Sequence, residues 1–250
     1  MLKAIGVFTA LLLFWELFCL TQIIPEALLP SPPQVAKAFI ELLYTGMPPG
    51  HRLPGHALYS LGRVLAGTGL AVLCGVPTGL VLGSSPKLRS LFMPVINFLR
   101  PIPPLAWIPL AILWFGLGFA SAVYLIFLGA FFPIVLSTCS GVNSVDRLFV
   151  DSVRIFGAKQ GAIWLKVLLP GAMPSILTGI RVGLGIGWMT LVAAEFTGIR
   201  GGYGLGYMIM NARDLQRTDE VMAGMAAIGI IGLGMEYLMG RLAKHLLRWQ

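Results

Sequence analysis

The chain has 250 residues, 57% of them hydrophobic and 11% charged, with a mean hydropathy of +0.85. A water-soluble domain of that make-up would lack the polar residues to cover its surface, so the composition predicts a polytopic membrane protein with no room for a soluble domain of ordinary size. The net charge of +8 would suit nucleic acid only if the basic residues clustered on an aqueous face; they stand instead between apolar runs, where they orient the spans.

Met1-Leu2-Lys3 precede an apolar run to Ile24 that is too long for a secretory signal and ends without a small-x-small cleavage site, which predicts an uncleaved first span. Glu16 within it is expected to face other helices and make a structural hydrogen bond. Residues 25–54 hold seven prolines and the charges Glu26, Lys37, Glu41 and Arg52. Over 33–44 the side chains of Val35, Phe39 and Leu42 share one helical face, which predicts an interfacial helix in an outer loop. A second span is expected over 58–83, where Gly75, Gly79 and Gly83 stand four apart for close helix contact and Pro77 bends the axis.

The third span, 91–115, is interrupted by Pro101, Pro103 and Pro104. A broken helix at membrane depth is tolerated only where protein or water satisfies the freed carbonyls, so this span is expected to line the solute path or its gate. A fourth span covers 120–142 and a fifth 173–196, the latter with Gly179, Gly183 and Gly187 four apart. Residues 197–220 are polar and glycine-rich without a G-x-x-x-x-G-K-[S/T] pattern or a preceding strand, so they are read as an outer loop or re-entrant turn. The last span covers 221–239. Cys19, Cys74 and Cys139 fall inside apolar segments and are expected to be buried small residues, neither disulfides nor metal ligands.

Between the fourth and fifth spans, residues 150–174 combine Asp151, Arg154, Lys159 and Lys166 with Ile155, Phe156, Ile163, Trp164, Val167 and Leu168 at helical spacing. The pattern predicts two short amphipathic helices at a membrane surface, bent at Gly157, the second closed by Pro170 and Pro174. On spacing alone such a stretch is a connector. With the N-terminus inside, the inner segments hold ten basic residues (Lys3, Lys87, Arg89, Arg147, Arg154, Lys159, Lys166, Arg241, Lys244, Arg248) and the outer ones five (Lys37, Arg52, Arg200, Arg213, Arg217). That excess places both termini and the amphipathic stretch on the cytoplasmic side.

Three arginines, Arg63, Arg100 and Arg181, lie within spans, where a guanidinium in hydrocarbon costs a few kcal/mol and must turn inward. Two readings stand. The arginines form a positive lining that helps a small anion cross through forked hydrogen bonds. Otherwise they are structural, with Arg63 paired to Glu195 and Arg100 capping carbonyls of the broken helix. His51, His56 and His245 have no metal-ligand spacing, and neither H-E-x-x-H nor G-x-S-x-G occurs, so neither catalytic nor metal residues are assigned. Glu16, Glu195 and Glu236 are scattered over different spans, which disfavours a proton relay; a secondary carrier or channel working without an ATPase is the alternative.

Permeases of ATP-driven importers carry a cytoplasmic signature of E-A-A, three residues, G, nine residues and I-x-L-P. This sequence resembles it with Asp151-Ser152-Val153 in place of E-A-A, Gly157 as the glycine, Val167 for the isoleucine and Leu169-Pro170 as the closing pair, Asp151 keeping the negative charge. R-P-I-P-P-L-A-W-I-P-L-A-I-L-W-F-G from Arg100, and later L-T-G-I-R-V-G-L-G-I-G-W, resemble the permease subfamily for taurine, aliphatic sulfonates, nitrate and bicarbonate. The resemblance implies an all-α membrane protein of about six transmembrane helices, a type I ABC importer (MetI-like) bundle forming one permease domain over 1–250. Within it, residues 148–172 would be the loop that couples to an ATPase. It further implies a homodimer of permeases, two ATP-binding cassette ATPase subunits that hold the ATP and Mg, and a periplasmic or lipid-anchored substrate-binding protein. This chain itself would carry no cofactor, sit in lipid and bind no nucleic acid.

Overall fold

The computed structural model describes residues 2–46, 51–196 and 203–247; among them the chain is helical, with no strand. The helices are α1 (Leu2–Leu20), α2 (Pro32–Tyr44), α3 (Leu53–Ser84), α4 (Pro86–Leu99), α5 (Ile108–Phe115), α6 (Phe119–Ser144), α7 (Arg147–Ile155), α8 (Gln160–Ile163), α9 (Leu169–Phe196), α10 (Leu205–Asp214) and α11 (Thr218–Leu246). A 3-10 turn, Pro104–Trp107, leads into α5, and a π turn, Trp164–Leu168, joins α8 to α9. Four stretches are long and apolar enough to cross a membrane: Leu53–Ser84, Phe119–Ser144, Gln160–Phe196 and Thr218–Leu246. Helix α4, with the 3-10 turn and α5, makes a fifth, bent by 83°. Helix α1 contributes a shorter apolar stretch, Thr9–Leu20. The all-α architecture with several apolar spans that the resemblance implies is therefore the one found among the described residues.

Several boundaries differ from the sequence reading. The helix entering the fifth span is not closed at Pro170 or Pro174; helical structure runs from Gln160 to Phe196. The π turn explains this: the Leu169 N–H bonds the Trp164 carbonyl five residues back, a widened turn of the kind that relieves the crowding a proline ring imposes on the turn before it. Residues 205–214, read as part of a polar loop, form α10, because Leu205, Met208, Ile209 and Ala212 bury one helical stripe. Cys139 is buried as expected, whereas Cys74 is exposed and Cys19 half-buried. Glu16 does turn one carboxylate oxygen, Oε2, out of solvent, but that oxygen has no hydrogen-bond partner among the described residues. Arg200 and Arg248, counted for orientation, lie outside the described residues, as does the glycine-rich run before Tyr203.

The chain gathers into two compact units. The first comprises Met1–Ser60 and Gly201–Ile231. Here α2 starts with a capping box: the Ser31 N–H donates to Gln34 Oε1 at 2.9 Å, and prolines occupy the first turn, where no N–H is needed. Helix α10 is capped by side chains from α3. The Gly204 N–H donates to His56 Nδ1 at 3.1 Å and the Leu205 N–H to Ser60 Oγ at 2.9 Å, satisfying donors that a helix start leaves orphaned. Arg217, at the turn into α11, bonds Asp219 and reaches Glu220, each at 3.0 Å, and the Asp219 bond pushes its already high pKa further up.

The second unit comprises Leu61–Arg200 and Gly232–Gln250, and α6 is its axis. Glycines of α3 meet α6 residues at the same four-residue spacing. A Cβ on Gly79 would lie 2.5 Å from Thr138 Cβ, one on Gly83 2.6 Å from Val142 Cβ, and one on Gly75 3.0 Å from Ile134 Cγ2. Helix α9 does the same from another side, with Gly179 against Ser137 and Gly183 against the Ala130 carbonyl. Small residues let backbones approach closely, which is how helices associate where lipid removes the hydrophobic drive between them. Side chains that remain outward, such as Phe98, Leu113 and Met189, are large and apolar, suited to hydrocarbon.

Candidate functional site

The stretch 147–170 folds as helix, tight turn, helix. Asp146 caps α7, its Oδ1 accepting from the Leu148 N–H at 2.9 Å. The other end of α7 closes in a Schellman arrangement: the Gly157 N–H donates to the Arg154 carbonyl at 2.9 Å and the Ala158 N–H to the Val153 carbonyl at 3.2 Å. Gly157 sits at φ +76°, a left-handed conformation that a residue with a Cβ adopts only with strain. Val153, at the third position of the triplet that resembles the importer signature, accepts the bond that closes the turn around the glycine. Of the other two, Asp151 forms an ion pair with Arg154 at 3.5 Å and Ser152 Oγ donates to the Leu148 carbonyl at 2.7 Å.

Beyond the turn, Ile163 (1% exposed) and Leu168 (7%) pack on Val142 of α6 and on Ala172 and Ile176 of α9, with Val150, Trp164 and Leu169 partly buried around them. Val167 lies within the π turn, Leu169 begins α9, and Pro170 follows. The element is thus anchored through its second half. Its tip is not: Ile155 is 84% and Phe156 88% exposed, beside the exposed cations Arg147, Arg154 and Lys159. An exposed apolar tip flanked by cations, on a base packed against α6 and α9, suits a cleft that is apolar inside and acidic at its rim.

The structure separates the three intramembrane arginines. Arg63 of α3 and Glu195 of α9 form a buried ion pair, Nη1 to Oε1 at 2.6 Å, with side chains 4% and 0% exposed. Of the two readings of Arg63, this geometry is the pairing. Arg181 of α9 is bonded to Glu236 of α11, a partner for which neither residue's position in sequence gave a signal. It borders a cavity with Tyr237, Arg241 and Lys244. Arg100 follows the end of α4 at the 83° break, exposed and without a side-chain hydrogen bond or ion pair among the described residues. It lines a different cavity, of about 510 Å³, with Trp107 from beyond the break, Phe132 and Ser137 of α6, and Ile186 of α9. Arg100 and Arg181 therefore face separate spaces. Sequence reasoning missed this cavity's far wall because it is made by packing of α6 on α9, from Leu128 to Ile186, well beyond the proline break in sequence.

Residues 72–249 match the family described as binding-protein-dependent transport system inner membrane component. Among curated proteins, the chain is 40% identical over 249 residues to the taurine transport system permease protein TauC of Escherichia coli (strain K12), covering 98% of this chain and 89% of that one. It is 34% identical over 236 residues to the putative aliphatic sulfonates transport permease protein SsuC of Bacillus subtilis (strain 168), covering 94% and 83%. Among solved structures, a chain from the inward-facing MetNI methionine ABC transporter superposes with a TM-score of 0.69 at 18% identity, covering 78% of this chain and 95% of that one.

Proposed function

Because the chain belongs to the family of binding-protein-dependent transport system inner membrane components, we propose that it works as the transmembrane subunit of an ATP-driven importer whose motor grips the element at 147–170. It is a permease subunit, and the ATP and Mg2+ belong to the ATPase partners. Asp151, Ser152, Val153 and Gly157 shape the docking turn, and Val167, Leu169 and Pro170 join it to α9. The observation that carries this reading is the exposed Ile155–Phe156 tip on a turn locked at Gly157, with Ile163 and Leu168 fixing its base to α6 and α9.

Two copies of the chain, two ATPase subunits and an external binding protein make the working assembly, with both termini and the docking turn in the cytoplasm. The solute is a small anion such as taurine, an alkanesulfonate or nitrate; the names of relatives carry the first two. Closure of the ATPase pair draws the two docking turns together. Since helical structure continues from Gln160 to Phe196, that displacement is delivered to α9 and to α6, which α9 packs against. The solute path changes sides only to the extent that the two states differ in their contacts with ATPase and solute.

The test is uptake of a labelled sulfonate into proteoliposomes holding the chain alone, or the chain with its ATPase and binding protein. Uptake is expected only in the full assembly and only with ATP. Ion-driven uptake by the lone chain would instead establish a secondary carrier.

A further inference from the structure

The cavity at the α4 break has a chemistry that narrows the solute beyond the reading above, on which the inference rests. Among the described residues, Arg100 is its one charged lining residue, and neither Asp nor Glu borders it. The remaining wall is largely hydrocarbon and aromatic: Trp107, Leu128, Phe132, Leu136, Val182 and Ile186. Ser137 and Ser140, one helical turn apart on α6, also line an adjoining cavity of about 270 Å³ with Ser175 and Thr178 of α9. The two spaces thus share a hydroxyl-bearing edge. Gly129 offers one further acceptor, since Pro133 has no N–H to give to its carbonyl, but that acceptor is neutral.

From this we infer that the Arg100 cavity is a binding site for an organic monoanion with a hydrocarbon tail and no ammonium group, such as an alkanesulfonate, in preference to a zwitterionic aminosulfonate or a bare inorganic anion. The guanidinium takes the anionic head through charge-assisted hydrogen bonds, and the serine hydroxyls supply further donors as the head passes toward α9. The apolar wall takes the tail. A volume of about 510 Å³ lies in the range of sites for organic ligands and leaves a small inorganic anion without wall contact. An ammonium here would lose water, meet no carboxylate and stand near a like charge.

Propane-1-sulfonate and taurine test this directly, since they differ by a methyl group against an ammonium at nearly equal size. Binding of each to the full-length chain in lipid nanodiscs is measured by equilibrium dialysis, with butane-1-sulfonate and nitrate alongside. Propane-1-sulfonate is expected to bind at least tenfold more tightly than taurine or nitrate. Butane-1-sulfonate should gain about two- to fourfold more from its added methylene. Arg100→Gln should weaken all sulfonates at least tenfold while Arg100→Lys, which keeps the charge, retains part of the affinity. Taurine binding as tightly as propane-1-sulfonate, or undiminished sulfonate binding by a folded Arg100→Gln chain, would overturn the inference. Either failure alongside intact ATP-driven uptake would sink this site alone. Tail-dependent binding by a chain that transports without an ATPase would sink the importer reading and leave the site standing.

Discussion

Replacing Glu195 by Gln keeps the side chain's size and removes its charge, leaving the Arg63 guanidinium of α3 buried against α9 without its counter-charge. The pair is 2.6 Å apart with side chains 4% and 0% exposed, so water cannot take the carboxylate's place. Removing one member of a buried pair costs about 3–5 kcal/mol, because the survivor remains desolvated and uncompensated. At about 2–4 °C per kcal/mol for a chain of this size, the melting midpoint in detergent should fall by roughly 6–20 °C. Removing both charges with Arg63→Met and Glu195→Met takes away the uncompensated charge and should restore stability to within about 1–2 kcal/mol of the starting protein. Size-exclusion chromatography after heating, on Glu195→Gln, the double variant and the parent, measures both effects. A Glu195→Gln chain that melts with the parent, or a double variant no better than Glu195→Gln, would refute the argument that the pair joins α3 to α9. A double variant of full stability that no longer transports would move Arg63 from scaffold to path.

Gly157→Val meets no steric neighbour, yet it must hold φ near +76°, so it should cost about 1–3 kcal/mol locally and reduce ATPase co-purification at unchanged membrane abundance. Gly79→Leu should disrupt assembly far more than Gly69→Leu on the same helix, since a Cβ meets Thr138 at 2.5 Å at the first position and open space at the second; folded yield after detergent extraction is the readout. Glu236→Gln strips Arg181 of its partner and should lower folded yield several-fold, with Arg181→Gln in the same chain bringing it back. Cysteines placed at Lys37 and at Gln160 should respond oppositely to an impermeant thiol reagent on intact cells, Lys37→Cys labelled and Gln160→Cys protected; equal labelling would overturn the orientation.

The parts of this structure that sequence could reveal are those with local causes. Glycines four apart announced the close approach of α3 and α9 to a neighbour, because the helical period puts them on one face whatever that neighbour is. The turn at Gly157 was equally local, set by backbone bonding within the six residues from Val153 to Ala158. The prolines at 101, 103 and 104 announced a break but not its 83° angle, which depends on what α5 packs against. Pro170 misled, since a proline reads as a helix end unless the turn before it widens, and nothing in Trp164–Leu168 signals a π turn. The caps on α10 from His56 and Ser60, and the Arg181–Glu236 pair, join residues 55 to 148 positions apart, where no periodicity reaches.

The claim that the motor grips the turn at 147–170 is tested most directly by a photo-crosslinking residue in place of Phe156, which is 88% exposed at the tip and has no packing role to lose. Irradiated in membranes that hold the complete transporter, it should join this chain to an ATPase subunit, in a yield that changes between nucleotide-free and ATP-bound states. The same residue in place of Leu113, exposed on α5, should give no such adduct. An ATPase adduct absent from the Phe156 position in actively transporting membranes would contradict the account.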